Sequence, residues 1–116
     1  MANITGSASS ESLTGTANAD VISGLAGSDT ISALDAADLI YGNLGGDVVV
    51  AGAGSDTIFG GQSSDTITGG SGFDLIYGNK SSDALSGGSA NDTIYGGASA
   101  DTVYGGTGAD MLFGNA

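Results

Sequence analysis

The chain has 116 residues, 23 of them glycine, and contains no cysteine, proline, histidine or tryptophan. Its 13 acidic residues are set against a single basic one, Lys80, for a net charge of −12. A disulfide framework is thereby excluded. The charge argues against nucleic acid and anionic membrane surfaces as partners, and a nucleophilic or acid–base site lacks the unlike groups it would need.

The length suits one domain, residues 1–116. No apolar run approaches the roughly 20 residues that span a bilayer, so membrane insertion is not expected. Met1-Ala2-Asn3-Ile4 carries no basic region or apolar stretch of the kind that marks a secretory leader.

Taken from the N-terminus, Asn3-Ile4-Thr5 reads as a short strand with Ile4 pointing inward. From Gly6 a nine-residue grammar begins and runs to Phe113 without insertion, giving twelve nonads over residues 6–113. GSASSESLT and GTANADVIS come first, and GGSGFDLIY (69–77) and GGTGADMLF (105–113) state the pattern most fully. A fixed short period of this kind is the signature of a solenoid. The last three places of each nonad predict a three-residue strand, as in Leu75-Ile76-Tyr77, and the glycine-rich places before them predict a turn. The eighth place is always aliphatic, from Leu13 and Ile22 through to Val103 and Leu112. Strand alternation turns that residue inward and its two neighbours outward. Each nonad thus offers one aliphatic side chain to the interior. Gly114-Asn115-Ala116 opens a further turn.

The expected architecture is all-β. Two nonads make an 18-residue coil with two strands back to back, and about six coils stack as a parallel β-roll, or β-solenoid. At the usual strand spacing the stack would be roughly 29 Å long.

The sixth place holds Glu11 in the first nonad. In the others it holds Asp20, Asp29, Asp38, Asp47, Asp56, Asp65, Asp74, Asp83, Asp92, Asp101 and Asp110. Stacking places alternate members in two columns, one starting at Glu11 and one at Asp20. Two charges one strand spacing apart repel by about 0.9 kcal/mol in water and several-fold more in a protein interior. Two remedies are open. A hard divalent cation can sit between turns on carboxylates and glycine-exposed carbonyls, and Ca2+, with six to eight oxygen ligands in loose geometry, fits best. Alternatively each Asp accepts hydrogen bonds from the amides of its own turn.

GGSGFDLIY and GGTGADMLF resemble the nonapeptide G-G-x-G-x-D-x-(large aliphatic)-x of the RTX, or haemolysin-type calcium-binding, repeats. The resemblance implies a right-handed parallel β-roll whose first six repeat residues form a calcium turn and whose last three form the strand. It implies that the eleven sixth-place aspartates, with turn carbonyls, ligate Ca2+, and that the protein works outside the cell. The fourth place departs from the pattern. It is glycine at Gly27, Gly45, Gly54, Gly72 and Gly108, but Ser9, Asn18, Ala36, Ser63, Ser81, Ala90 and Ser99 elsewhere. A side chain there restricts the backbone, which favours the Asp29–Asp47, Asp56–Asp74 and Asp92–Asp110 pairs as sites. The fourth nonad, ALDAADLIY, has no glycine at all.

The two outward faces differ. The ninth places of the even nonads form a ladder of Ser23, Tyr41, Phe59, Tyr77, Tyr95 and Phe113. Aromatic ladders stabilise sheets, and a contiguous apolar stripe also marks a contact surface. Self-association, through this face or head to tail at the open strand edges, is therefore expected. The leading functional reading is a non-enzymatic, calcium-binding structural β-roll at the cell surface or beyond it. The alternative is a calcium-independent solenoid that assembles into a surface or matrix filament.

Overall fold

The structure, a computed structural model, describes residues 1–114, so Asn115 and Ala116 and the turn expected there lie outside the described residues. Among the described residues thirteen strands alternate between two sheets. One sheet has seven strands: β1 (Asn3–Thr5), β3 (Val21–Ser23), β5 (Leu39–Leu44), β7 (Thr57–Gln62), β9 (Leu75–Asn79), β11 (Thr93–Gly97) and β13 (Met111–Phe113). The other has six: β2 (Ser12–Thr14), β4 (Thr30–Asp35), β6 (Val48–Ala53), β8 (Thr66–Ser71), β10 (Ala84–Ser89) and β12 (Thr102–Thr107). Every pairing is parallel and joins residues 18 apart, as in Ile58↔Ile76 and Ile67↔Leu85. The 18-residue coil and the parallel β-solenoid are thus as the period predicts. The body measures 33 × 28 × 13 Å, a slab two sheets thick.

The strands are longer than the sequence suggests. Only β1, β2, β3 and β13 have three residues, whereas β4 to β12 have five or six. Pairing continues through the first places of the next nonad, as in Gly52↔Gly70 and Gly88↔Gly106. Glycine weakens an isolated strand, but Gly52, Gly70 and Gly88 are each paired to a coil on either side, which holds them in the ladder.

The longer strand also corrects the expected interior. Inward places recur every second residue, so the sixth, eighth and first places all face in. The eighth-place residues from Ile22 to Ile94 are at most 1% exposed. Ile4, Leu13 and Val103, near the ends, are only partly covered, and Leu112 is 47% exposed. With one aliphatic column per sheet the core has no redundancy. Ile67→Ala is therefore expected to cost about 2–5 kcal/mol, read as a lower thermal midpoint in saturating calcium.

The turns carry two left-handed residues each. From the third nonad onward the second place has positive φ, as at Leu25 (73°), Asn43 (78°) and Gly70 (117°). The fourth place does too, at Gly45 (111°) and Gly72 (120°) but equally at Ala36 (80°), Ser63 (77°), Ser81 (77°), Ala90 (80°) and Ser99 (89°). The restriction expected from a fourth-place side chain does not redirect the turn. These residues adopt the left-handed conformation at a cost, because the stacked coils hold them there, on both sides for all but Ser99. Ala90→Gly should relieve that cost and stabilise the roll by about 1 kcal/mol. A thermal melt of the variant checks this, and a fall in midpoint would contradict it.

Candidate metal sites

Each sixth-place aspartate enters the body through the last residue of a turn, where strand alternation has already begun. Asp20, Asp29, Asp38, Asp47, Asp56, Asp65, Asp74, Asp83 and Asp92 are all at most 4% exposed. The two columns form as predicted and lie on opposite edges of the slab, since successive turns cross between the sheets in opposite directions.

The carboxylates are used in halves. One oxygen, Oδ1, accepts the backbone N–H of the sixth-place residue in the preceding coil. Asp29 N–H donates to Asp47 Oδ1 at 2.8 Å, Asp47 N–H to Asp65 Oδ1 at 2.8 Å, and Asp74 N–H to Asp92 Oδ1 at 2.9 Å. The ladder runs from Ala2 N–H on Asp20 to Asp92 N–H on Asp110. It corrects the expectation that an aspartate without metal caps its own turn: the amide comes from the neighbouring coil. The three pairs favoured from glycine content are not special in this respect, because every residue 18 further on makes the same bond.

The other oxygen, Oδ2, has no hydrogen-bond partner at Asp29, Asp38, Asp47, Asp56, Asp65, Asp74, Asp83, Asp92 or Asp101, though each of these atoms is buried. A buried, charged, unpaired oxygen is costly, and the one basic side chain, Lys80, cannot serve nine of them. Burial accordingly pushes the carboxyls of Asp65 and Asp74 up to about 7 and that of Asp83 up to about 6. The donated amide opposes the rise and neighbouring carboxylates in the column add to it. Asp38, Asp47, Asp56 and Asp92 are raised for the same leading reason.

Asp20 is the exception. Thr16 donates its N–H to Asp20 Oδ2 at 2.6 Å and its hydroxyl to the same oxygen at 2.9 Å. Burial still pushes this carboxyl up, but the bonds from Thr16 and Ala2 outweigh it and hold it below its ordinary value. Asp20 is closed without a cation. Glu11, at the end of the other column, likewise accepts the amide of its own turn, from Ser7.

The first place of the nonad decides what lies beside Oδ2, and sequence reading missed it. A Cβ built on Gly24 would stand 2.5 Å from Asp29 Oδ2 and 2.8 Å from Gly42 O. On Gly60 it would stand 2.5 Å from Asp65 Oδ2 and 2.8 Å from Gly78 O. First-place glycine therefore lets a carboxylate oxygen and a carbonyl oxygen of the next coil pack directly against the backbone, closer than a side chain there would allow. The signal was present, since the first place is never larger than alanine in twelve nonads.

The donor set is wholly oxygen. Among the described residues no three acidic side chains converge, so a cation here would rely on backbone carbonyls as well as one or two carboxylates. That chemistry suits Ca2+, a hard ion tolerant of irregular shells, and the orphaned Oδ2 atoms fit it. When bound, the ion supplies positive charge to oxygens that otherwise have no partner. The chain's part is to bury those oxygens, to fix their spacing through the amide ladder, and to keep the first place small.

Fold and turns together define a parallel β-solenoid with acidic, oxygen-lined turns. A family model for the RTX calcium-binding nonapeptide repeat (4 copies) matches residues 5–40, 14–49, 41–76, 59–94 and 77–112, and the chain belongs to that family. A search of curated proteins found no match. Among the described residues no helix is long and apolar enough to cross a membrane.

Proposed function

We propose that this protein is a non-enzymatic structural module whose roll is completed by Ca2+ at the turns. The observation that carries the reading is the row of nine buried Oδ2 atoms without a partner. Because the ligand set exists only in the stacked state, metal affinity is folding free energy. Calcium is scarce in cytosol and plentiful outside cells, so such a chain would stay open inside and fold after export. The extracellular setting belongs to this proposal and rests on that chemistry together with family membership.

Equilibrium dialysis of metal-free protein against calcium, with magnesium as competitor, tests it. Calcium should bind and magnesium should compete poorly, because the smaller ion demands a near-ideal octahedron and sheds water reluctantly. No calcium bound at millimolar concentration would overturn the proposal.

A second reading, a solenoid that assembles without calcium, is favoured by two observations. The Oδ1 ladder and the Thr16–Asp20 closure hold turns together with no metal. Tyr41, Phe59, Tyr77, Tyr95 and Phe113 also stack in one file, with centroids 4.7–5.2 Å apart and planes within 9°. That file rigidifies its own sheet and offers a flat apolar stripe to a second copy. Light scattering on the dialysed samples separates the cases. Growth in mass in chelator supports metal-free assembly, growth only with calcium supports assembly after folding, and constant mass rejects self-association by either the aromatic face or the strand edges.

A further inference from the structure

The seven-stranded sheet of this strongly negative chain carries no charge. None of the residues in its strands, from β1 to β13, is acidic or basic. The acids lie in the turns, where nine aspartates are at most 4% exposed, apart from Asp35 at the end of β4 in the other sheet. A second copy, with the same net charge, therefore meets least repulsion through this sheet. The sheet is also flat. Neighbouring rings in the file from Tyr41 to Phe113 lie within 9° of parallel, whereas neighbouring strands usually turn by roughly 20–25°. Flat faces touch along their whole length. The broad face of the slab spans 33 × 28 Å, so contact over most of it reaches the ~800 Å² per partner of a stable interface.

Relief decides how two such faces fit. The aromatic file is a ridge. Its ring centroids stand 4.7–5.2 Å apart, so each ring already touches the next and no slot is left for a ring from a partner. Ridge cannot interdigitate with ridge. On one side of the file runs the second-place row of Asn43, Gly61, Asn79 and Gly97, which is polar or bare backbone. On the other side runs the seventh-place row of Leu39, Thr57, Leu75 and Thr93. These side chains are shorter than the aromatic ones and present methyl groups, so the row forms an apolar trough beside the ridge.

We infer that two copies pair face to face through their seven-stranded sheets, each aromatic ridge lying on the partner's seventh-place row, about a two-fold axis parallel to the stack of coils. An axis in that direction sets the two stacks parallel and carries each ridge from one side of the face to the other. The interface is isologous and closed, so the unit is a dimer and not a fibre. The period favours a second copy as the occupant. Both copies repeat at one strand spacing, so a ridge-on-row contact made once recurs coil after coil, whereas a partner of another fold would match at few points. The inference rests on the self-association reading above, which it narrows to one face and one arrangement. It requires the folded roll, whether the aspartates are satisfied by calcium or without it.

Sedimentation equilibrium in saturating calcium and in chelator tests it, with circular dichroism on the same samples to show where the roll is formed. Twice the chain mass is expected wherever the sheet signal is full. Thr57→Glu with Thr93→Glu puts unpaired charge in the seventh-place row without touching the aromatic file, and the dimer should be lost. Thr66→Glu with Thr102→Glu adds the same charge to the six-stranded sheet and should leave the dimer intact. Leu39→Thr with Leu75→Thr adds no charge and copies a residue the row already holds, so the roll is expected to form and the dimer to weaken. Sheet-rich protein at the mass of one chain overturns both the dimer and the self-association reading. Mass that grows beyond two chains, a dimer that survives the charges at Thr57 and Thr93, or one that is lost equally with those at Thr66 and Thr102 overturns the face-to-face pair and leaves self-association standing. No sheet signal in either condition overturns the roll and the pair together. The chain has no cysteine, so Thr5→Cys carries a single spin label in the first coil. The two labels of a dimer should lie close together, and a separation near the length of the stack would mean antiparallel stacks and overturn the arrangement.

Discussion

In excess chelator the β-sheet signal is expected to be strongest near pH 4 and to fall as the pH is raised toward 8. The carboxyls of Asp65 and Asp74 are raised to about 7 and that of Asp83 to about 6, chiefly by burial. In the unfolded chain an aspartate titrates near 3.9. Below about pH 4 both states hold these protons, and the folded state is not penalised. Between roughly pH 4 and 7 the unfolded chain gives the protons up while the folded chain must keep them, so stability drains away through that window. Above it the metal-free roll carries buried, unpaired charge in two columns. Calcium reverses the trend, because it binds the deprotonated form and supplies the missing partner. The transition should respond only weakly to added sodium chloride, since buried groups are screened far less than surface ones. Circular dichroism across pH in chelator, at low and high salt, reads all of this. A metal-free signal that is flat in pH, or that grows as pH rises, would contradict the description of the columns.

Asp65→Asn combined with Asp74→Asn should move stability in opposite directions with and without metal. Asparagine keeps the oxygen that accepts the Asp47 and Asp56 amides, so the ladder survives. It removes the buried charge that has no partner. In chelator at pH 7.5 the variant should be more stable than the natural chain, because an unpaired amide costs less to bury than an unpaired charge. In saturating calcium it should be less stable than the natural chain, because two of the donors that hold the ion are now neutral. Urea unfolding in each condition gives both values. A loss of stability in both would mean that the second oxygen makes a contact the charge is needed for even without metal. Indifference in calcium would remove Asp65 and Asp74 from the ligand set.

Much of this molecule is legible in the sequence because repetition converts a local pattern into a global one. Once Ile58 and Ile76 are recognised as the same place in successive coils, their pairing, the two sheets and the two aspartate columns all follow. What is not legible depends on what a neighbouring coil imposes. Gly52 and Gly70 read as turn residues because glycine has little strand preference by itself, yet they pair in a six-residue strand. Ala90 and Ser81 read as poor fits at the fourth place because an isolated side chain disfavours positive φ, yet stacking holds them there. The aspartate columns are visible as columns, but the direction of Oδ1, toward the preceding coil's amide rather than its own turn, needs coordinates. So does the burial of Ala33 and Ala51, whose first place proves to be an inward one. The closure of Asp20 by Thr16 was equally hidden, because the second place varies freely from Ser7 to Gly106 and only threonine, in that one turn, presents a hydroxyl to the carboxylate.

The central claim is that the buried aspartate columns need a cation to be folded at neutral pH. Far-UV circular dichroism of metal-free protein at pH 7.5, followed as calcium is titrated in, tests it most directly. The account predicts a largely unfolded spectrum in chelator and a cooperative rise of sheet signal between sub-millimolar and millimolar calcium, which magnesium at the same concentration does not reproduce. Full sheet signal already present in excess chelator at pH 7.5, and unchanged by calcium, would contradict it and would leave the amide ladder and the aromatic file as what holds the roll together.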